Sequence, residues 1–537
     1  MKRIVYFFIA ASFVLASCGG NASLWGQYAT PTPLGGSPPT SPAIPTVAVT
    51  QTFSPFLPLA AETATDTITP TPTFSEAFIT PEVASTIEST VTPLANVPTV
   101  LYYTQSGDWL PAVAVRFGVE VNAITSPKIL PENGLLDPGT LLIIPDTLDR
   151  SVPFTSALPL LPDNEFIFSA TALDFDVPTY VREAGGYLST YREYLGTTAW
   201  TSGAKEIERL AYENSVNPRL LLAILDYESR WVRGKPENEF RIDFPLGYEN
   251  FRNKGMFMQL VWAINQLSTG YYDWRAGRIT ELTFRDGNKV RIDPGLNAGT
   301  VALMYYFSRV HSYNEWLRSM DQTSGFLSYY QNMFGDPWSR AGTIGPIFPP
   351  GLSQPEMSLP FERQSAWAFT SGPHGAWEHD GPMAAVDFAP GSAKSGCTDS
   401  LKWILSAAPG LVVRSGNGVV VVDMDGDGSE QTGWTILYLH VANLHRIPKG
   451  QWVEQDDHIG HPSCEGGVST GTHLHFARKY NGEWVIADGP LPMTLSGWRV
   501  FAGDTPYKGK LVKGDRVITA DPYGQSRALI YREEDEE

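Results

Sequence analysis

Apolar positions change their spacing several times along the chain, and each spacing predicts a different element. After the basic start Met1-Lys2-Arg3, the stretch Ile4 to Leu15 is almost continuously apolar. It has the length of a signal-peptide core and is too short for a lasting transmembrane helix. From 21 to about 100 the periodicity disappears into Ser, Thr and Pro, as in Thr69-Pro70-Thr71-Pro72-Thr73. Such a segment cannot bury enough apolar surface to offset ordering entropy, so an extended stalk is expected. Pattern returns at Leu101-Tyr102-Tyr103, a short strand. Helical spacing follows over Leu110 to Phe117, and a closing strand over Leu141 to Pro145. Residues 165–345 are mainly helical in spacing. Asn217-Pro218 starts a helix with a capping side chain and a first-turn proline, and Leu220 to Leu225 buries most of its sides. Beyond 365 the period becomes that of strands, with Gly418-Val419-Val420-Val421-Val422, Thr435 to Leu439 and Thr472 to Phe476 separated by glycine turns.

Charge alters this picture little. The formal net charge is −18, and no Lys or Arg occurs between Arg3 and Arg116. An acidic chain argues against nucleic acid or an anionic membrane surface as partner. Histidine is more informative, because eight of the nine lie between His374 and His475.

Leu15-Ala16-Ser17-Cys18 resembles the bacterial lipobox, which implies cleavage before Cys18 and its acylation. The expectation is an exported protein at the cell membrane or cell surface. It would touch the membrane only through a lipid anchor, with residues 1–17 as signal and 18–100 as stalk. Two cysteines remain, Cys397 and Cys464. An even number in an exported chain predicts one disulfide, worth roughly 4 kcal/mol in the chain-entropy model.

His473-Leu474-His475 on a strand points both imidazoles to one face. His440 ends another strand-like run, His374 follows Ser371-Gly372-Pro373, and Asp387 sits among apolar neighbours, where an unpaired carboxylate is costly. Two His and one Asp suit one Zn²⁺ and leave a fourth position for water. Two further His can then handle protons and hydrogen-bond the reacting oxygens. His379, five residues after His374, competes with it as a ligand. His445, His458 and His461 read as surface or packing residues. Asp423-Met424-Asp425-Gly426-Asp427-Gly428 looks like the start of an EF-hand loop. Its twelfth position is Trp434, where a bidentate Glu is needed, so the segment reads as a hairpin turn.

Three further resemblances carry these motifs. YYTQSGDWLPAVAVRFGV with LLDPGTLLIIP, in residues 101–146, resembles the LysM module, a βααβ fold that binds glycan chains of peptidoglycan. Pro111 and Thr125-Ser126-Pro127 depart from its usual pattern. NSVNPRLLLAILDYESRW followed by GMFMQL, within 165–345, resembles the lysozyme-like core of lytic transglycosylases, which implies Glu228 as a possible second catalytic acid. The alternative is a helical spacer in which Glu228 caps or pairs. GPH, AVDF, GWTILYLH and GGVSTGTHLHF, within 360–505, resemble the lysostaphin-type zinc metallopeptidases. The long gap between His374 and Asp387 is similar to the beta-lytic branch. That resemblance implies His374, Asp387 and His475 as zinc ligands, His473 as general base and His440 at the oxyanion or attacking water. The expected chain is therefore multidomain: a small α+β module, a mainly α middle domain, an all-β antiparallel peptidase domain and a C-terminal extension, 506–537, with an acidic tail. Its expected activity is hydrolysis of peptidoglycan peptide cross-links. The alternatives are a non-catalytic wall-binding lipoprotein that activates another hydrolase, or glycan cleavage by the middle domain.

Overall fold

A computed structural model describes residues 97–377, 379–391 and 396–533. The expected signal segment, the Cys18 acylation site, the stalk up to residue 96 and the last four acidic residues lie outside them.

The first unit pairs strand β1 (Thr99–Tyr103) antiparallel with β2 (Leu141–Pro145), with helix α1 (Leu110–Phe117) between them. Pro111 is tolerated because it sits in the first turn, where its missing N–H has no helical partner. Gly118 closes the helix at φ +66°. After it comes only a single 3₁₀ turn, Val121–Ala123, and not a second α-helix. Pro127 disfavours helix at the residue before it, and Thr125 instead bridges to Ile143. Buried Asp108 pins the unit, accepting from the Tyr102 hydroxyl at 2.6 Å and from the Arg116 guanidinium at 2.7 Å.

The middle region is helical, as expected. Its main helices are α2 (Gly203–Asn214), α3 (Pro218–Ser229), α4 (Met256–Arg275) and α5 (Ala298–Val310). The Asn217 side chain caps α3 by accepting from the Arg219 N–H at 2.9 Å. Helices α4 and α5 approach closely at Gly270, where a Cβ would lie 2.9 Å from the Ala302 Cα.

The C-terminal region is built on one antiparallel sheet of nine strands. Its principal strands are β3 (Trp367–Gly375), β4 (Met383–Pro390), β5 (Gly410–Gly416), β6 (Val419–Asp423), β7 (Trp434–Leu439) and β8 (Leu474–Tyr480). Across the sheet they run β5-β6-β7-β8-β4-β3. Residues 506–530 belong to this body. Gly509–Lys513 and Arg516–Thr519 extend a second, four-stranded sheet, and Leu529–Ile530 pairs with β3. Cys397 and Cys464 form the expected disulfide.

The middle and C-terminal regions are less separate than their change of periodicity suggests. One continuous apolar core runs from Leu160 to Ile530, while the first unit keeps its own. The seam lies where β8 turns. There the Trp484 indole donates to the Asn214 carbonyl, and Arg275 of α4 bridges Asp163 and Glu483 at 3.1 and 3.0 Å. No helix among the described residues is long and apolar enough to cross a membrane.

Candidate metal centre

Strand register builds the centre. His475 on β8 lies opposite Asp387 on β4, and Asp387 lies opposite Ser371 on β3, three residues before His374. A register irregularity between Ser371 and His374 turns the histidine toward the carboxylate. On the other side, Leu439 at the end of β7 pairs with His475, so His440 follows directly beside it. His440 takes the left-handed conformation at φ +66°, unusual for a residue with a Cβ.

Three donor atoms converge. His374 Nε2 is 3.3 Å from Asp387 Oδ1, His475 Nδ1 is 3.3 Å from the same oxygen, and the two nitrogens are 3.1 Å apart. Ligands about 2.0–2.1 Å from a tetrahedral zinc stand roughly 3.3 Å from one another. Asp387 Oδ1 is buried without a hydrogen bond. The residues present therefore fit one Zn²⁺.

Backbone carbonyls fix the tautomers. His374 Nδ1 faces the Gly372 carbonyl at 2.9 Å, and His475 Nε2 faces the Ala376 carbonyl at 2.9 Å. His440 Nδ1 faces Glu465 and His473 Nδ1 faces Gly471, both at 2.8 Å. A carbonyl oxygen only accepts, so each of these nitrogens carries the proton. Each opposite nitrogen keeps its lone pair, as a metal ligand or proton acceptor requires. The His440 and His473 rings are 4.4 Å apart, and His473 Nε2 lies 3.7 Å from Asp387 Oδ1.

Burial is the largest influence on the charges here. It opposes the Asp387 anion, but the surrounding imidazoles outweigh it and hold that carboxyl well below its usual range. Burial also opposes a cation at His374, yet Asp387 raises this imidazole overall. At His475 burial wins and the shift is downward. Burial beside His473 and His475 pushes His440 down to about 3, keeping it neutral.

Other sequence candidates lie elsewhere. His379 is exposed and pairs with Asp380 at 2.8 Å, apart from the three converging donors. His445 and His461 contact each other at 3.2 Å, and Trp403 stacks on His458. Glu228 lies in the last turn of α3 in the helical region and pairs with His311 at 3.2 Å. Sequence reasoning missed Tyr507, whose ring stacks on His374 with centroids 4.6 Å apart. Pro506-Tyr507-Lys508-Gly509 carries no local signal for that role. The nearest clue was Gly372, where a Cβ would lie 2.4 Å from the Lys508 carbonyl oxygen.

Comparisons with known proteins give similarities for two parts of the chain. Residues 395–486 match the model of peptidase family M23, and residues 159–347 match that of the LasA N-terminal domain. The first match contains His440, His473 and His475; His374 and Asp387 precede it. Protease LasA of Pseudomonas aeruginosa is 25% identical over 371 residues, covering 65% of this chain and 80% of that protein. The beta-lytic metalloendopeptidase of Lysobacter enzymogenes is 28% identical over 159 residues, 28% of this chain and 82% of that protein. Among solved structures, the deep-sea M23 metalloprotease pseudoalterin is similar at 23% identity, covering 34% of this chain and 100% of that chain, with a TM-score of 0.27. The helical middle region is thus similar to the LasA N-terminal domain, and the β-sheet region that carries the histidine cluster is similar to peptidase family M23.

Proposed function

We propose that this chain is a single-zinc endopeptidase that hydrolyses peptide cross-links of bacterial peptidoglycan. The observation that carries the reading is the triangle of His374 Nε2, Asp387 Oδ1 and His475 Nδ1, each side 3.1–3.3 Å. A zinc ion held there supplies Lewis acidity to a scissile carbonyl and to water. The chain's own groups do the rest. His473 Nε2 accepts a proton from water and returns it to the leaving amine. Neutral His440, with its proton turned to Glu465, offers a lone pair that orients the attacking water. Of the two roles considered for His440, this one suits its protonation better than oxyanion donation. Tyr507 and the Gly372 carbonyl hold the His374 ring in place.

The names of the relatives, a protease and a beta-lytic metalloendopeptidase, support a lytic peptidase. In this reading the first unit holds glycan in the manner of a LysM module, and acylated Cys18 tethers the exported chain. A second reading, glycan cleavage at Glu228, is weakened by its pairing with His311 in the helical region. The test of the metal assignment is zinc content. Purified wild-type chain should hold one zinc and lyse cell walls. His475→Ala should lose both while keeping its circular dichroism spectrum. A folded variant with undiminished zinc and lysis would refute the assignment.

A further inference from the structure

The hairpin joining β6 to β7 gathers Asp423, Asp425 and Asp427, with one oxygen from each lying within 4.8 Å of the others. Oxygens sharing a calcium-sized ion at 2.3–2.6 Å can stand no more than about 5 Å apart, so the three can meet one ion. A cluster of acids alone would not make a site. The decisive member is Asp423, which is fully buried and whose Oδ1 has no hydrogen-bond partner. Its other oxygen accepts from the Gly428 N–H at 2.8 Å. Among the described residues no Lys, Arg or His pairs with any of the three. A buried carboxylate oxygen facing two more carboxylates, with no cation beside it, is costly unless something positive joins them.

The surrounding chain leaves room for that arrangement. Gly428, in the sixth position counted from Asp423, has φ +93°, the sharp turn that such loops require. A Cβ at Gly433 would lie 2.1 Å from Asp425 Oδ2, so only glycine there lets the Asp425 carboxylate keep its place. Thr432 Oγ1 donates to Asp427 Oδ2 at 2.6 Å and the Ser429 N–H donates to Oδ1 at 2.9 Å, fixing the third acid. Trp434 stands where a bidentate Glu is absent, which leaves the rest of the coordination sphere to backbone carbonyls and water.

We propose that the β6–β7 hairpin binds a hard divalent cation of the calcium class through Asp423, Asp425 and Asp427. The ion ties the end of β6 to the start of β7, the strand whose other end delivers His440. It is separate from the nitrogen-rich zinc centre, because all its side-chain donors are oxygen.

Terbium luminescence tests this on the intact zinc-loaded chain, with Trp434 and Trp452 next to the loop as antennae. Titration with Tb³⁺ should give saturable emission that Ca²⁺ displaces. Asp425→Asn and Asp427→Asn should each weaken Tb³⁺ and Ca²⁺ binding roughly tenfold or more, since affinity follows the number of charged ligands. Zinc content should stay unchanged. Both substituted residues are exposed, so either variant serves if the other fails to fold. Emission that does not saturate, that Zn²⁺ but not Ca²⁺ displaces, or that folded variants retain at wild-type affinity would overturn the proposal.

Discussion

Glu206 in α2 is fully buried, and neither of its carboxylate oxygens has a hydrogen bond. Burial first, and the nearby Glu193 carboxylate second, push it up to about 8. An unfolded Glu titrates near 4.3. Between those values the folded chain holds a proton that the unfolded chain has lost. Stability therefore falls as pH rises through this window, by up to about 1.4 kcal/mol per pH unit. Glu206→Gln removes this dependence. Thermal unfolding from pH 5 to 8 should show the variant gaining Tm relative to wild type as pH rises, and parallel curves would contradict the assignment. The sequence showed Glu206 only as one polar residue in an amphipathic helix. Its raised pKa depends on burial first and on the Glu193 carboxylate second, both set by the fold. By contrast strand alternation alone put His473 and His475 on one face, and the resemblance to lysostaphin-type peptidases implied His374, Asp387 and His440 beside them.

At the scale of elements, β3 shows how the site depends on a neighbour far along the chain. The Gly372 N–H donates to the Tyr507 carbonyl at 2.9 Å, and the Tyr507 N–H donates to the Pro373 carbonyl at 3.1 Å. Gly372→Ala would set its methyl against the backbone of Lys508 and Gly509, which cannot yield as a side chain can. The expected cost is about 1–3 kcal/mol of stability, with a fall in kcat/KM as Tyr507 withdraws from His374. Calorimetry and a peptide-cleavage assay check this; a variant equal to wild type in both would show that the contact is slack. Strands and helices were legible from periodicity because apolar spacing follows the side of the element that is buried. The 3₁₀ turn at Val121–Ala123 was not, because a departure from a familiar pattern says where a helix weakens and not what replaces it.

For the whole molecule, the change from helical to strand periodicity does not separate two bodies, because the middle and C-terminal regions share a core. Arg275, Glu483 and Asp163 make that seam a buried charge network, with Glu483 raised to about 7 chiefly by burial. Local pattern could not reveal it, since the partners are separated by up to 320 positions, from Asp163 to Glu483. The helical region docks where β8 turns, at the opposite end of that strand from His475. In the proposed function, peptide bonds of the wall are cut at the His374, Asp387 and His475 centre. Mass spectrometry of purified peptidoglycan digested by the intact chain tests it most directly. The proposed endopeptidase should give new free amino termini in the cross-linking peptides and intact glycan strands, and His475→Ala should give no such products. Anhydro-sugar ends without new amino termini, or equal peptide cleavage by the folded variant, would contradict it.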